Sequence, residues 1–153
     1  MGTKQHIVDV RAMAANPLSG FRHESVPVPE WDGVTVIIRA PSPGDHLFHV
    51  RAIWAAAGIV PGEDEATAKP KLNAPATDYT GASAALLVRT LFEQTPEGRI
   101  TRVFTDEDVG QVAAAYGPVH ARLVAKAIEL GNLSAGAAEA AKKPSRKRRT
   151  SVS

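Results

Sequence analysis

The clearest pattern in the chain is an alternation of hydrophobic and polar residues over positions 26–39, VPVPEWDGVTVIIR. A period of two predicts half-buried strands, and the Asp32-Gly33 pair between the two runs predicts the turn of a β-hairpin. Proline occupies two alternate positions of the first strand, Pro27 and Pro29. Because proline has no N–H to donate, the hairpin register must spare both prolines a ladder hydrogen bond.

Two loops are compatible with this hairpin, and the prolines decide between them. A two-residue Asp32-Gly33 turn would require the prolines as donors, whereas a three-residue loop, with Gly33 left-handed in a bulge, does not. The second loop predicts that Glu30 pairs with Val34, Val28 with Val36, and Val26 with Ile38. In this register, five apolar side chains lie on one packing face of the hairpin: Val26, Val28, Val34, Val36 and Ile38. The proline-bearing strand is expected at a sheet edge.

Spacings of three and four residues between apolar positions predict helices in the rest of the chain. The first helix starts at the cap residue Ser42 and stops at Gly58, and its apolar stripe is Leu47, Val50, Trp54 and Ala57. The polar, proline-containing segment 59–77 is predicted to be a long mobile loop. A second helix begins near Asp78, and its apolar stripe includes Ala84, Leu87, Val88, Leu91 and Phe92.

A strong helix-start signal lies at residues 105–108, Thr-Asp-Glu-Asp. A threonine cap followed by three carboxylates satisfies free N–H groups and the helix dipole together, so Thr105, Asp106, Glu107 and Asp108 are interpreted as a helix cap. Gly117 ends this helix and Pro118 opens the next one. The extended piece RITRVF precedes the cap.

The predicted fold class is therefore α+β and mainly helical, with an N-terminal β-hairpin followed by about four to five short helices. Residues 1–23 lack periodicity and are predicted to be a flexible arm. Residues 24–141 are predicted to form a single domain, and residues 142–153 a disordered basic tail.

The charge distribution separates the tail from the body of the chain. Six cations lie in the last dozen residues: Lys142, Lys143, Arg146, Lys147, Arg148 and Arg149. Without these six, 12 of the 18 basic residues remain against 16 acidic ones, so the body carries a charge of −4. Such a tail can bind phosphate backbones in a salt-dependent way, but it has no aromatic residue for base stacking. The alternative is a solvated tail without a partner.

Candidate chemistry is sparse. His46 and His49 share a helix face, as metal ligands would, but no third ligand accompanies them. The chain has no cysteine, which excludes disulfides and thiolate sites. No phosphate-binding loop, dinucleotide fingerprint or nucleophile elbow occurs. The sequence therefore predicts no catalytic residue, no metal site and no cofactor. Asp9 and Arg11 interrupt any apolar run of signal-peptide length, and no membrane span is expected.

The order of these motifs resembles the tail assembly chaperones of long-tailed bacteriophages. The resemblance covers residues 24–141. It is carried by a short hairpin that ends in EWDGVTVIIRAPSPGD and precedes a helix, and later by GRITRVFTDEDVGQVAAAYGPVHARLVAKAIELGNLS. Within the second segment the matching residues are Val103, Phe104, Thr105, Asp106, Glu107, Asp108, Asn132, Leu133 and Ser134.

The resemblance implies a non-catalytic protein that binds the tape measure protein in the host cytoplasm while the tail tube assembles. It further implies contact with the major tail protein, self-association, and a longer product made by ribosomal frameshifting, for which Lys142-Lys143 is a candidate slippage site. Two alternatives stay open. One is a small nucleic-acid-binding protein that uses the basic tail, and the other is a minor tail protein retained in the virion.

Overall fold

The computed structural model describes residues 9–132, and it has the predicted α+β class with a larger share of helix than of strand. The helices are α1 (Val10–Ala15), α2 (Pro43–Ala57), α3 (Glu65–Leu72), α4 (Thr80–Thr90), α5 (Val109–Ala114) and α6 (118–132). The strands are β1 (His23–Val28), β2 (Val34–Arg39), β3 (Leu91–Gln94) and β4 (Ile100–Arg102). Short 3₁₀ turns occupy Pro29–Trp31 and Asp106–Asp108. The six cations of the predicted tail lie outside the described residues.

The four strands form one antiparallel sheet in the order β1-β2-β3-β4. The proline-bearing strand β1 is at an edge, as the sequence predicted. Pro27 lies in β1 opposite Thr35, and Pro29 lies outside the strand. A strand that lacks a donor can occupy an edge because its outer side needs no partner.

The predicted register of the hairpin is wrong by two residues. Val28 pairs with Val34 and Val26 with Val36, so the loop spans 29–33 instead of three residues. Pro29 starts a 3₁₀ turn, where its fixed φ and missing N–H cause no loss. Asp32 and Gly33 then take left-handed φ values of 56° and 73°, and Gly33 N–H donates to Val28 O at 3.1 Å. Because the shift is even, each strand keeps the same residues on each face.

The main core lies between the inner face of the sheet and helices α4, α5 and α6. Its fully buried members include Ile38, Leu86, Leu87, Leu91 and Leu123. Helix α4 runs through the middle, and seven of its eleven residues are buried: Ala82, Ala84, Ala85, Leu86, Leu87, Val88 and Thr90. Burial of this apolar surface is the dominant stabilising contribution to the fold.

Helix α4 ends at Thr90, so the prediction that its stripe continues through Phe92 is wrong. Leu91 and Phe92 belong to β3, where they pair with Ile38 and Ile37. A short apolar run fits a buried helix and a buried strand equally well. In this protein the segment forms a strand because it pairs with the free edge of β2 and makes hydrogen bonds that another helical turn could not make.

The predicted long loop 59–77 contains helix α3. Asp64 caps it by accepting from Thr67 N–H at 2.9 Å, and Lys71 pairs with Glu63 at 2.8 Å. Pro70 lies inside the helix, which removes one backbone donor and explains why the sequence favours a loop. No residue of α3 is buried.

Residues 9–22 precede the sheet and cross its outer face. They include α1, whose Asp9 cap accepts from Ala12 N–H at 3.2 Å. Pro17 O accepts from Arg39 Nη1 at 2.8 Å, and the Phe21 ring lies 4.3 Å from the Arg39 guanidinium. This segment was expected to be part of a flexible arm, and the division of the chain at residues 23 and 141 stays a prediction.

Candidate protein-binding site

Helix α2 is strongly defined at both ends. The Ser42 hydroxyl accepts from Asp45 N–H at 3.1 Å while Asp45 Oδ2 accepts from Ser42 N–H at 2.9 Å, which is a complete capping box. Pro43 occupies the first turn, where its missing N–H has no partner to lose. Gly58 ends the helix in the left-handed region at φ 77°. These signals agree with the predicted bounds.

Polar contacts hold one face of α2 against the body. Asp45 is buried and accepts from Arg39 Nη2 at 2.7 Å and from Arg89 Nη1 at 3.2 Å. His49 Nδ1–H donates to Ala82 O at 2.9 Å. The Phe48 ring lies 4.4 Å from the Arg89 guanidinium. Asp45 is the single buried residue of this fifteen-residue helix, so its hydrogen bonds and the packing of the half-buried Phe48 against the core together hold α2 in place.

The opposite face of α2 carries an apolar surface, hereafter the α2 stripe: Leu47, Val50, Trp54 and Ala57. Leu47 is 47% exposed and Trp54 is 38% exposed, while Val50 and Ala57 are half-buried. An apolar stripe on a helix ordinarily faces the core. In this structure Leu47 and Trp54 face solvent instead, which makes the α2 stripe a candidate surface for protein contact.

A cavity extends the α2 stripe at its C-terminal end. It has a volume of ≈380 Å³ and is lined by Arg51, Trp54, Ala55, Ile59 and Pro61. Val60 stands beside it and is 62% exposed. A concave apolar site next to an exposed tryptophan can bind one large apolar side chain of another protein.

The residues of the predicted hairpin packing face divide into two groups. Val28, Val36 and Ile38 are buried in the main core, and Val26 packs against it. Val34, at the end of the strand next to the loop, is 46% exposed. Four of the five side chains therefore contribute to the interior of this chain, which leaves little of the hairpin face for a partner.

The predicted cap at 105–108 forms a 3₁₀ turn that leads directly into α5. Thr105 N–H donates to Asp108 Oδ2 at 2.7 Å, and the Thr105 hydroxyl donates to Glu107 Oε1 at 3.1 Å. Asp106 has a different partner set, because it accepts from Arg89 and Arg102. Partial burial would raise the pKa of Asp106, but hydrogen bonds from Arg102 and Arg89 outweigh it and lower the pKa.

The hairpin tip is tied to the last helix. Arg122 forms a two-pronged salt bridge with Glu30 at 2.9 and 3.0 Å, which lowers the pKa of Glu30 to about 2. The His120 ring stacks on Tyr116 at 5.4 Å and meets Trp31 edge-on at 5.6 Å. Desolvation in this aromatic group lowers the pKa of His120, and its Nδ1 accepts from Gly117 N–H at 3.0 Å.

Residues 9–132 contain no group of three or more histidine, aspartate or glutamate side chains arranged to bind a metal ion. His49 uses its ring for the contact with α4 described above, and His46 is exposed one turn earlier. In the same part of the chain, no helix is both long and apolar enough to cross a membrane.

Comparison with known proteins agrees with this geometry. The family model described as phage tail assembly chaperone matches residues 9–143, which is most of the chain. The chain belongs to the phage tail assembly chaperone family. The resemblance read from the sequence motifs is thereby confirmed.

A solved structure supports the same assignment. The chain is similar to the structure of the bacteriophage HK97 tail assembly chaperone, with a TM-score of 0.52 and 29% sequence identity. The similarity covers 79% of this chaperone and 95% of the HK97 chain. No curated protein matches the chain. Membership of the family indicates interaction with phage tail proteins and points to a non-catalytic role.

Proposed function

We propose that this chaperone binds the tape measure protein in the host cytoplasm while the tail tube assembles, and that the α2 stripe is its contact surface. The observation that carries the proposal is the burial pattern of α2, a fifteen-residue helix whose apolar side faces solvent. Surfaces of this kind on a well-packed protein commonly serve as interaction sites.

The chemistry of the α2 stripe suits a helical client. Leu47, Val50 and Trp54 follow one another at three- and four-residue spacing, so they present a narrow apolar ridge with a cavity at one end. A client helix with apolar residues at the same spacing can lie along such a ridge. A long tape measure protein exposes apolar helices before the tube encloses it, which is the expectation behind this choice of client.

The α2 stripe also suits a contact that must later be released. Trp54 is its one aromatic residue, and Val50 and Ala57 are small and half-buried. Binding free energy at protein interfaces concentrates in a few large side chains, so a surface with one such anchor gives moderate affinity. Moderate affinity lets the polymerising tube displace the chaperone.

Co-purification tests the proposal. The tape measure protein is co-expressed with tagged wild-type chaperone, with the Leu47→Ala/Trp54→Ala double variant, and with Val34→Ala. Val34 is a matched control because it is 46% exposed and starts β2 at the hairpin loop, whereas α2 follows the other end of that strand. We expect wild type and the control to retain the client, and the double variant to lose at least about tenfold in affinity, the loss of one tryptophan hot spot.

Two results would contradict the proposal in different ways. Equal retention by the double variant and by wild type would exclude the α2 stripe as the contact surface. Failure of the wild type to retain the tape measure protein, with retention of the major tail protein, would reassign the client within the same family. Circular dichroism of each variant shows that the fold is intact.

Two further features of the proposal are testable without variants. A chaperone that leaves the tail is absent from purified virions by mass spectrometry, whereas a minor tail protein is present. A frameshifted longer product requires a slippery heptamer in the gene near the codons for Lys142-Lys143 and an overlapping reading frame beyond it.

A further inference from the structure

Five charged side chains, from two strands, two helices and a 3₁₀ turn, form a continuous chain of ion pairs. In order they are Arg39, Asp45, Arg89, Asp106 and Arg102, so the signs alternate and arginine stands at both ends. The successive N–O distances are 2.7, 3.2, 2.9 and 2.9 Å. Three cations and two anions leave one uncompensated positive charge.

The two ends of this chain line the same cavity, hereafter the arginine cavity. It has a volume of ≈530 Å³, and Phe92 and Ile100 are among its apolar lining residues. Arg102 pairs with Phe92 across β3 and β4, and Arg39 lies two residues after Ile37, the other partner of Phe92. The pleat of the sheet therefore directs Arg39, Phe92 and Arg102 to one side. Pro17, from the segment that precedes the sheet, forms part of the rim.

Arg39 has a donor without a partner. Its side chain is 10% exposed, and its Nε is buried with no hydrogen-bond acceptor among residues 9–132. The guanidinium is held between Phe21 and Phe92, with ring centroids 4.3 and 4.8 Å away. Buried polar atoms in native structures are normally satisfied, so this guanidinium keeps donor capacity that residues 9–132 do not use.

Arg102 also keeps donor capacity. Its Nε and Nη2 donate to Val88 O at 3.0 and 2.7 Å, and Nη2 also reaches Asp106. Among the described residues these bonds involve one edge of the guanidinium and leave Nη1 without an acceptor. A planar guanidinium with a free edge is well suited to an oxyanion.

We propose that the arginine cavity binds a carboxylate group, supplied by an acidic segment of a protein partner. One carboxylate between Arg39 and Arg102 would neutralise the excess charge and close the alternating chain into a ring. The cavity is lined by three guanidinium groups, by one carboxylate, that of Asp45, and by apolar walls. The excess of positive charge beside apolar walls suits the short aliphatic stem and charged end of a glutamate side chain.

A peptide carboxylate fits the molecule better than the phosphate backbone of a nucleic acid. Outside the six C-terminal cations, the chain carries 12 basic and 16 acidic residues, a net charge of −4. Such a body repels a polyanion at long range, whereas a single carboxylate experiences mainly the local field of the cavity. That the partner is a tail protein rests on the proposed function, but binding of a carboxylate as such does not.

The first test is a titration of the full chain, labelled with ¹⁵N, with glutarate. The signals of the Arg39 and Arg102 side-chain N–H groups are followed by NMR, with sodium chloride at equal ionic strength as reference and inorganic phosphate as competitor probe. We expect a saturable shift of both signals with glutarate, and weaker binding of phosphate. A response equal to that of chloride would overturn the site, and tighter binding of phosphate would overturn the choice of a carboxylate.

The second test places a carboxylate in the cavity covalently. Ile100→Glu does so, and Ile100→Gln is a matched control with the same size but no charge. We expect Ile100→Glu to melt at a higher temperature than Ile100→Gln and to weaken glutarate binding at least about tenfold, because two carboxylates would share one cavity. A lower melting temperature for Ile100→Glu than for Ile100→Gln would contradict the proposal. Neither test involves the α2 stripe, so its outcome is independent of the tape measure experiment.

Discussion

Helices α2 and α4 pack side by side, and they use their apolar residues in opposite ways. In α4, seven of eleven residues are buried, and all but Thr90 are hydrophobic. In α2, one of fifteen residues is buried, and it is the aspartate that binds two arginines. The difference shows that the sheet with α4, α5 and α6 forms most of the core. Helix α2 contributes Phe48 at the margin of this core, while its Leu47 and Trp54 remain exposed.

A polar anchor under an apolar surface has a physical advantage for a chaperone. If apolar burial alone held α2 in place, its hydrophobic side chains would lie inside the protein and could not contact a partner. The ion pairs of Asp45 and the hydrogen bond of His49 hold the side of the helix that faces the body of the protein. The α2 stripe therefore lies on a fixed support, and the proposed binding of a client there would require little further ordering of the helix.

The largest expected effect comes from the same substitution made once in each helix. Leu87→Ala, at a fully buried position of α4, is expected to lower the free energy of unfolding by about 4 kcal/mol through lost burial and a residual cavity. Leu47→Ala, at a 47% exposed position of α2, is expected to change it by less than about 1 kcal/mol. Urea denaturation of both variants measures the difference. Equal losses would show that the α2 stripe is part of the core.

The next effect separates the anchor of α2 from the core. Asp45→Asn removes the charge between Arg39 and Arg89 and is expected to lower the free energy of unfolding by about 3 kcal/mol, because it leaves a buried arginine uncompensated. Asp64→Asn, which alters the exposed cap of α3, is the matched control and is expected to have a clearly smaller effect. Thermal melts distinguish the two. A stable Asp45→Asn variant would mean that apolar contacts hold α2 after all.

The smallest expected effect is a pH dependence of stability that arises where His120 of α6 contacts the hairpin tip. His120 has a folded-state pKa below its unfolded value of 6.5, so the unfolded chain takes up a proton first as the pH falls. Stability is therefore highest above pH 6.5 and declines from there toward the lower folded-state pKa. Protonation of His120 Nδ1 would also break the hydrogen bond that this atom accepts from Gly117 N–H.

Substitution identifies the residue responsible. His120→Gln is expected to flatten the fall in melting temperature between pH 7 and 5, whereas His46→Gln, at an exposed position of α2, is expected to leave it unchanged. An unchanged slope in His120→Gln would assign the dependence to another group.

Local signals predicted much of this fold. The period-two pattern predicted the hairpin, the prolines predicted its edge position, and Ser42 with Gly58 predicted the ends of α2, because each of these depends on neighbouring residues only. The predicted register was wrong because two positions tolerate the missing N–H of Pro29. One is a strand position whose N–H would point away from the partner strand, and the other is the start of a 3₁₀ turn. The sequence does not distinguish them. Strand β3 was missed because its assignment depends on β2, more than fifty residues earlier.

The sequence predicted the residues of the candidate site but not their orientation. The spacing of Leu47, Val50 and Trp54 identifies an apolar stripe, but not which way it faces. Its orientation depends on Asp45 meeting Arg89, 44 residues away, and no local pattern encodes that meeting. The arginine cavity was missed for the same reason, since its two end arginines are 63 positions apart (Arg39 to Arg102) and meet only across the sheet.

The salt bridge between Glu30 and Arg122 joins residues 92 positions apart, and Leu130 is still part of the core. During synthesis, the hairpin leaves the ribosome long before α6 does, because the chain grows from its N-terminus. The inner valines of the hairpin therefore complete their packing only after α6 has arrived. Until then the nascent chain exposes an apolar surface that the folded protein buries.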